Sequence, residues 1–260
     1  MPIAQYSLGP AQRPELYFDP GFADCSRPAT AADRALLASW RVALEGAEAI
    51  QGVPGMPKND LPDGLAAYRH FQYGKGRRRE FSYERYVSQD ASGRVTLDNA
   101  VFDIQEGILG IATQHRFLTG FQITGTGIRC GANDNPPLAR LFPYPETENW
   151  KKAIGAHWIW MSALVTVTRG SEWGFVATVT LHAEDLYNFN PGDNDADTEI
   201  PDAMNGRFEE SCLAREYLNV STLDRVVRWR ATEAEANVTN PSAGSRERNP
   251  QDNRRMRNRL

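Results

Sequence analysis

Hydrophobic and polar positions follow two different rhythms along this chain, and the rhythm changes after Pro145. Upstream, apolar residues recur at helical spacing. Leu36, Leu37, Trp40, Val42, Ala43 and Ile50 form a mostly apolar face. Ahead of them, Thr30-Ala31-Ala32-Asp33 is a capping-box pattern, in which hydroxyl and carboxylate bond the free backbone amides of a first turn. This predicts a helix from about residue 30 to 50. Leu65 to Tyr73 suits a second helix that Gly74 ends. Val101, Ile104, Ile108 and Ile111 share one face of a third, over 97–118. Residues 1–29 are Pro-rich and aperiodic, which reads as an extended arm, and the Pro and Gly residues of 54–64 mark a loop.

Downstream, the period shortens to two. Leu164–Thr168 and Phe175–Leu181 are β-branched runs separated by Arg169-Gly170-Ser171-Glu172, a turn, and so predict a hairpin. Thr222 to Trp229 reads as a later strand. Gly125-Thr126-Gly127-Ile128-Arg129-Cys130-Gly131 is read as a loop, because its third glycine comes one residue too late for a dinucleotide fingerprint. The expected class is α+β, with N-terminal helices packed on a C-terminal antiparallel, partly open β-barrel. The expected organisation is an N-terminal arm and helix (1–60), a helical part (61–150), an antiparallel β catalytic part (151–230) and a disordered Arg-rich tail (231–260).

With 260 residues, 41% of them hydrophobic, the chain can bury a sizeable core. Its net charge of -4 argues against a basic nucleic-acid binder. No window approaches the roughly 20 apolar residues of a membrane span. The N-terminus lacks a basic start and an apolar run, so the chain is expected to be made in the cytoplasm without a signal peptide. Cys25, Cys130 and Cys212 are far apart and odd in number; their spacing shows neither a disulfide framework nor a zinc site. They read as buried small hydrophobes or one incidental bridge. The basic run Lys75-Gly76-Arg77-Arg78-Arg79 is either a solvated face or a seat for an anionic lipid or phosphate.

Polar chemistry crowds into one window, from His182 through Asp185, Tyr187, Asn188 and Asn190 to Asn205, Arg207 and Glu209. If the strand before it continues to 187, alternation puts Ala183, Asp185 and Tyr187 on one face and His182 and Glu184 on the other. A carboxylate and a phenol would then be neighbours. Asp193, Asp195, Asp197 and Glu199 have the spacing of a calcium loop. Thr198 stands where an EF-hand needs Gly, and Met204 where it needs Glu, so an exposed acidic loop is expected.

The run Asp185-Leu186-Tyr187-Asn188-Phe189-Asn190, placed after a hairpin, resembles the colicin M family of bacteriocins, which hydrolyse lipid II. That family carries Asp-x-Tyr-Asp, then Phe/Ala-Asn, then a His-Arg pair. Leu65 to Gly76 is similar to the family's helix leading into a Gly-x-Gly turn, and the resemblance spans about residues 64–230. Here Asn188 replaces the second aspartate, and no histidine follows His182. The resemblance implies hydrolysis of an undecaprenyl-pyrophosphate-linked precursor between lipid and pyrophosphate. It implies Asp185 as nucleophile, base or metal-positioning carboxylate and Tyr187 as a phosphoryl hydrogen-bond donor or proton donor. Arg207 would be the charge-neutralising cation. His182 would replace the absent imidazole only if the strand bulges before Asp185. Asn188, Asn190, Asn205 and Glu209 would contact substrate, and a divalent cation, Mg or Ca, would sit at Asp185. The implied partners are lipid II and an immunity protein, with a secretion apparatus delivering the toxin to the periplasm of target bacteria. The alternatives are a non-catalytic binding or structural module on the same fold, with a degenerate site, and a component of a phage or secretion structure.

Overall fold

The computed structural model describes residues 1–132, 134–195 and 197–231. Apart from Ala231, the expected Arg-rich tail lies outside the described residues. The chain runs β1 (Tyr6–Leu8), α1 (Ala31–Ala49), α2 (Pro62–Tyr73), β2 (Arg79–Glu80), α3 (Tyr83–Gln89) and α4 (Ala91–Gln114). It continues through β3 (Gly120–Gly125), β4 (Ile128–Cys130), α5 (Pro136–Leu141), α6 (Glu148–Ala153), β5 (His157–Thr168), β6 (Trp173–Tyr187), α7 (Ala203–Glu210) and β7 (Tyr217–Ala231). The class is α+β. The described strands form one open sheet in the order β1-β3-β5-β6-β7-β2, with β4 beside β5. Every pairing is antiparallel except β2 with β7.

The elements follow from their sequences. Thr30 and Asp33 close the capping box on α1, satisfying amides that would otherwise lack partners. The third helix starts earlier than its apolar stripe suggests, because Asp90 caps it at Ser92. The predicted hairpin is longer at both ends, and the last strand begins at Tyr217. Gly125 to Cys130 is not a plain loop: it spans the end of β3 and all of β4. Odd-numbered side chains form the inward row of β5, β6 and β7, while Trp160, Ser162, Glu184 and Val220 are also covered on the other face.

Two apolar clusters result. The larger joins Ile104 and Ile108 of α4 to Ile159 and Met161 of β5 and to Val179, Leu181 and Ala183 of β6. The smaller gathers Leu37, Phe71, Phe208 and Tyr217, with Tyr68, Tyr187 and Phe189 packed on it. Helical residues of α4 and strand residues of β5 and β6 thus share the larger cluster.

The N-terminal arm straps these parts together. Ile3 and Ala4 donate backbone N–H groups to Asp103 on α4, and Arg13 pairs with Glu184 on the outer face of β6. Further on, Phe22 fills the space that a side chain at Gly206 would need. Cys25 and Cys212 form a disulfide across a separation of 187 residues, realising the single bridge the cysteine count allowed. Cross-linking so long a loop restricts the unfolded chain, an effect of about 5 kcal/mol from loop entropy. Cys25→Ser should therefore lower the unfolding free energy by about 5 kcal/mol in urea titrations. Dithiothreitol should destabilise the wild type by a similar amount and leave the variant unchanged.

Candidate functional site

Asp185 stands in a position that alternation reserves for core residues. It follows Ala183 in the inward row of β6 and precedes Tyr187. Ala183 belongs to the larger apolar cluster and Tyr187 packs on the smaller, so the carboxyl occupies the seam between them. It is 7% exposed. The pairing of β5 with β6 ends at Trp158 and Glu184, whereas β6 and β7 stay paired to Tyr187 and Tyr217. Asp185 therefore projects beyond the β5 pairing, with Asn219 of β7 as its cross-strand partner.

Burial pushes the Asp185 carboxyl well above the usual carboxylate range, and the Asn219 amide only partly opposes this. Burial thus favours its neutral form, the form that can donate a proton. Tyr187 stacks on Tyr217 with ring centroids 5.1 Å apart. Burial raises its phenol well above the ordinary value; Tyr217, Tyr68 and Asp185 add to this, and Arg79 opposes it. Burial, and after it the Asp185 charge, also raises the phenol of exposed Tyr144. The buried carboxyl is thus within electrostatic reach of a solvent-facing side chain.

The nearby cation is Arg79. Its guanidinium donates to Asn219 Oδ1 at 3.1 Å and hydrogen-bonds the Tyr217 side chain. Asn219 in turn donates to the Ala153 carbonyl at 3.0 Å, which fixes the amide. Asp185, Tyr187, Asn219, Tyr217 and Arg79 form one polar group. Arg79 was hidden in a basic run. Its signal was tertiary: the two-residue strand β2 pairs parallel with β7, setting Arg79 opposite Asn219.

Other expected site residues go elsewhere. The bulge that would turn His182 toward Asp185 is absent, because β6 pairs with β7 in unbroken register from Trp173 to Tyr187. His182 lies on the opposite face, stacked on Trp160 at 3.6 Å and hydrogen-bonded to Ser162. Burial lowers its pKa. His157 supplies no imidazole either. Its Nδ1–H donates to the Gly155 carbonyl and its Nε2 accepts from the Tyr83 hydroxyl, each at 3.0 Å. Burial holds it neutral, with a pKa down to about 4.

Arg207 is likewise not brought to Asp185. Its guanidinium is engaged by Asp33, with Nε 2.8 Å from Oδ1, and Arg27 completes the cluster. These guanidiniums and the Thr30 bonds hold the Asp33 carboxyl far below its usual range. Asn188 donates to the Asp19 carbonyl in the arm. Asn205 accepts from the Tyr68 hydroxyl at 2.7 Å, positioning a ring that packs against Phe189. The Asn190 backbone donates to Asp202, while its buried Oδ1 has no hydrogen-bond partner. In the acidic loop, Asp195 pairs with Lys152 and Asp197 with Lys151, so two of its carboxylates are neutralised by lysines. Among the described residues no three His, Cys, Asp or Glu side chains converge to hold a metal ion.

Glu209 is the other unusual carboxyl. It is 1% exposed, and the backbone amides of Phe189 and Phe22 approach it without forming hydrogen bonds of normal geometry. Burial, with Glu216 and Asp24 nearby, pushes its pKa up to about 8. A carboxyl raised in the folded state favours folding fully below its unfolded pKa. That contribution is lost as pH rises from about 4.5 to about 8. Glu209→Gln should therefore stabilise the protein by about 3 kcal/mol at pH 7. The gain should vanish near pH 4, as urea titrations across this range would show.

No protein-family model matches the chain, and no curated protein matches it. Solved structures with similarity to it include PaeM, a colicin M-like bacteriocin produced by Pseudomonas aeruginosa, at 15% identity and a TM-score of 0.37. That match covers 70% of this chain and 57% of PaeM, so the chain spans less than two thirds of PaeM's length. The bacteriocin syringacin M from Pseudomonas syringae pv. tomato DC3000 is 11% identical with a TM-score of 0.38, covering 78% and 80% of the two chains. Pectocin M2 is 12% identical with a TM-score of 0.33, covering 74% and 64%. Of these similar structures, PaeM is a colicin M-like bacteriocin and syringacin M a bacteriocin.

Proposed function

We propose that this chain is an antibacterial toxin that hydrolyses lipid II between undecaprenyl and pyrophosphate, with Asp185 as its acid. The observation that carries this is a buried carboxyl at the seam of two apolar clusters, grouped with a phenol and a guanidinium. Such a group suits phosphoester cleavage: the phosphates need a fixed cation and the departing alkoxide needs a proton. The Asp185-Leu186-Tyr187 run, with its resemblance to the colicin M family, also supports it.

In this reading Arg79 neutralises charge on the pyrophosphate and the Tyr187 hydroxyl donates to a phosphoryl oxygen. Water attacks the phosphorus. The bond from phosphorus to the prenyl oxygen breaks, and that oxygen takes the Asp185 proton. The attacking water loses a proton to solvent, and Asp185 regains one from solvent. The products are undecaprenol and the pyrophosphorylated disaccharide-peptide. A divalent cation, Mg or Ca, would be held by the oxygens of the pyrophosphate, because Asp185 as a protonated acid does not also serve as its ligand. When bound it would supply further charge neutralisation.

A toxin of this kind acts on the periplasmic side of its target. It needs delivery there, by a secretion apparatus such as type VI secretion, and an immunity protein in the producer. A non-catalytic binding module is the second reading. It is favoured by Asn188 and Arg207, whose side chains serve the arm and Asp33 rather than the Asp185 group.

Incubation of purified protein with lipid II, with and without Mg²⁺ or Ca²⁺, should release undecaprenol, and Asp185→Ala should abolish release. Directed to the periplasm, the wild type should lyse cells; retained in the cytoplasm, it should not. Survival in both compartments together with intact lipid II would sink the hydrolase reading and leave the binding module. Tyr187→Phe keeps the ring stack and removes one donor, so kcat should fall roughly 100-fold. Because the acid must be protonated, kcat should decline as pH rises through the elevated Asp185 pKa. Steady-state rates between pH 5 and 10 would show it.

A further inference from the structure

Arg79 faces two ways. One side of its guanidinium meets Asn219 and Tyr217 beside Asp185. It also lines a groove of about 500 Å³ that runs along α2. That volume lies within the range of small-molecule sites, roughly 300–1,000 Å³. The groove's apolar lining comes from Pro62, Leu65, Ala66 and Tyr73. These positions recur along one stripe of the helix, spanning about 18 Å over its length.

The groove's polarity is uneven in a way that selects its occupant. Arg69 is drawn to one side by its ion pair with Glu48 and lies over the Tyr73 ring, 5.5 Å from the centroid. Arg79 remains as a cation with no carboxylate partner among its described bonds to Asn219 and Tyr217. Directly after the groove, Lys75 and Gly76 adopt left-handed backbone with φ of 55° and 73°, which turns the chain sharply out of α2. The side chains of Lys75, Arg77 and Arg78 are exposed there. An apolar channel, one cation at the catalytic side and a basic rim together match an anionic amphiphile drawn from a negatively charged membrane surface.

We propose that this groove seats the first isoprene units of a polyprenyl pyrophosphate, with Arg79 holding the phosphate where groove and Asp185 group meet. This rests on the hydrolase reading for the identity of the headgroup, and it adds where the lipid lies and what length of prenyl chain is sensed. Residues after the first few isoprenes would remain in the bilayer. Substrates with very short chains would then bind through the phosphate alone.

The test uses the full chain carrying Asp185→Asn, titrated calorimetrically with farnesyl pyrophosphate, inorganic pyrophosphate and farnesol. Farnesyl pyrophosphate should bind at least tenfold more tightly than either of the others. Ala66 is exposed, so Ala66→Trp fills the groove without entering the core; it should weaken farnesyl pyrophosphate at least tenfold and leave pyrophosphate unchanged. Arg79→Gln should weaken both pyrophosphates and spare farnesol. Circular dichroism checks that each variant is folded. No binding of farnesyl pyrophosphate, equal binding of pyrophosphate, or indifference to Ala66→Trp overturns the groove. The two proposals separate cleanly. Groove binding with intact lipid II sinks the hydrolase alone, whereas lipid II cleavage unaffected by Ala66→Trp sinks the groove alone.

Discussion

The unbroken antiparallel register between β6 and β7 is the constraint on which the rest depends. From Trp173 to Tyr187 every residue of β6 has a partner on β7, and a pleated strand sends alternate side chains to opposite faces. One slipped residue would send Asp185 outward and bring Glu184 in. In this register Asp185 ends a row of core residues, and Glu184 meets Arg13 and Trp160 on the other face. The same register separates Asp185 from His182. Leaving the carboxyl inside is unfavourable for its charged form, and the neutral form is what proton donation requires.

Around that row the polar groups are organised by short elements of little stability on their own. The two residues of β2 carry Arg79 to Asn219. The last turn of α6 offers the Ala153 carbonyl that fixes the Asn219 amide. The N-terminus of α2 has no capping side chain of its own. Asn149 of α6 accepts from the amides of Asp63 and Gly64 instead, and Asp63 is held by Arg85. Gly64 permits the close approach: a side chain there would run into Lys152 and the Asn149 carbonyl. The wall of the site is therefore built by long-range contacts. The strapped arm then locks α7 and its loop against the smaller apolar cluster through Phe22, the Cys25–Cys212 bridge and the Asp33 ion pairs.

Much of this was legible along the chain because it depends on local periodicity. The capping box at Thr30, the stripe through Ile104 and Ile108, the hairpin, and the shared face of Asp185 and Tyr187 all follow from spacings of two to four residues. Short edge and connecting elements were not legible. β1, β2 and β4 are three residues or fewer, and strands that short carry no period. Arg207 and Asn188 were candidates by proximity to Asp185 in sequence, but both follow the end of β6, where the chain turns toward the arm. Each found a partner more than 160 residues away, Asp33 and Asp19.

By itself, then, the sequence determined the α+β class, the hairpin and the Asp185–Tyr187 pair, because alternation within one strand needs no knowledge of its neighbours. Tertiary structure alone decided which cation serves that pair and which cysteines join. It also decided that His182 is excluded, and how far the Asp185 carboxyl is shifted. Those outcomes depend on burial and on partners brought together by strand register and loop closure, and neither is encoded in the spacing of nearby residues.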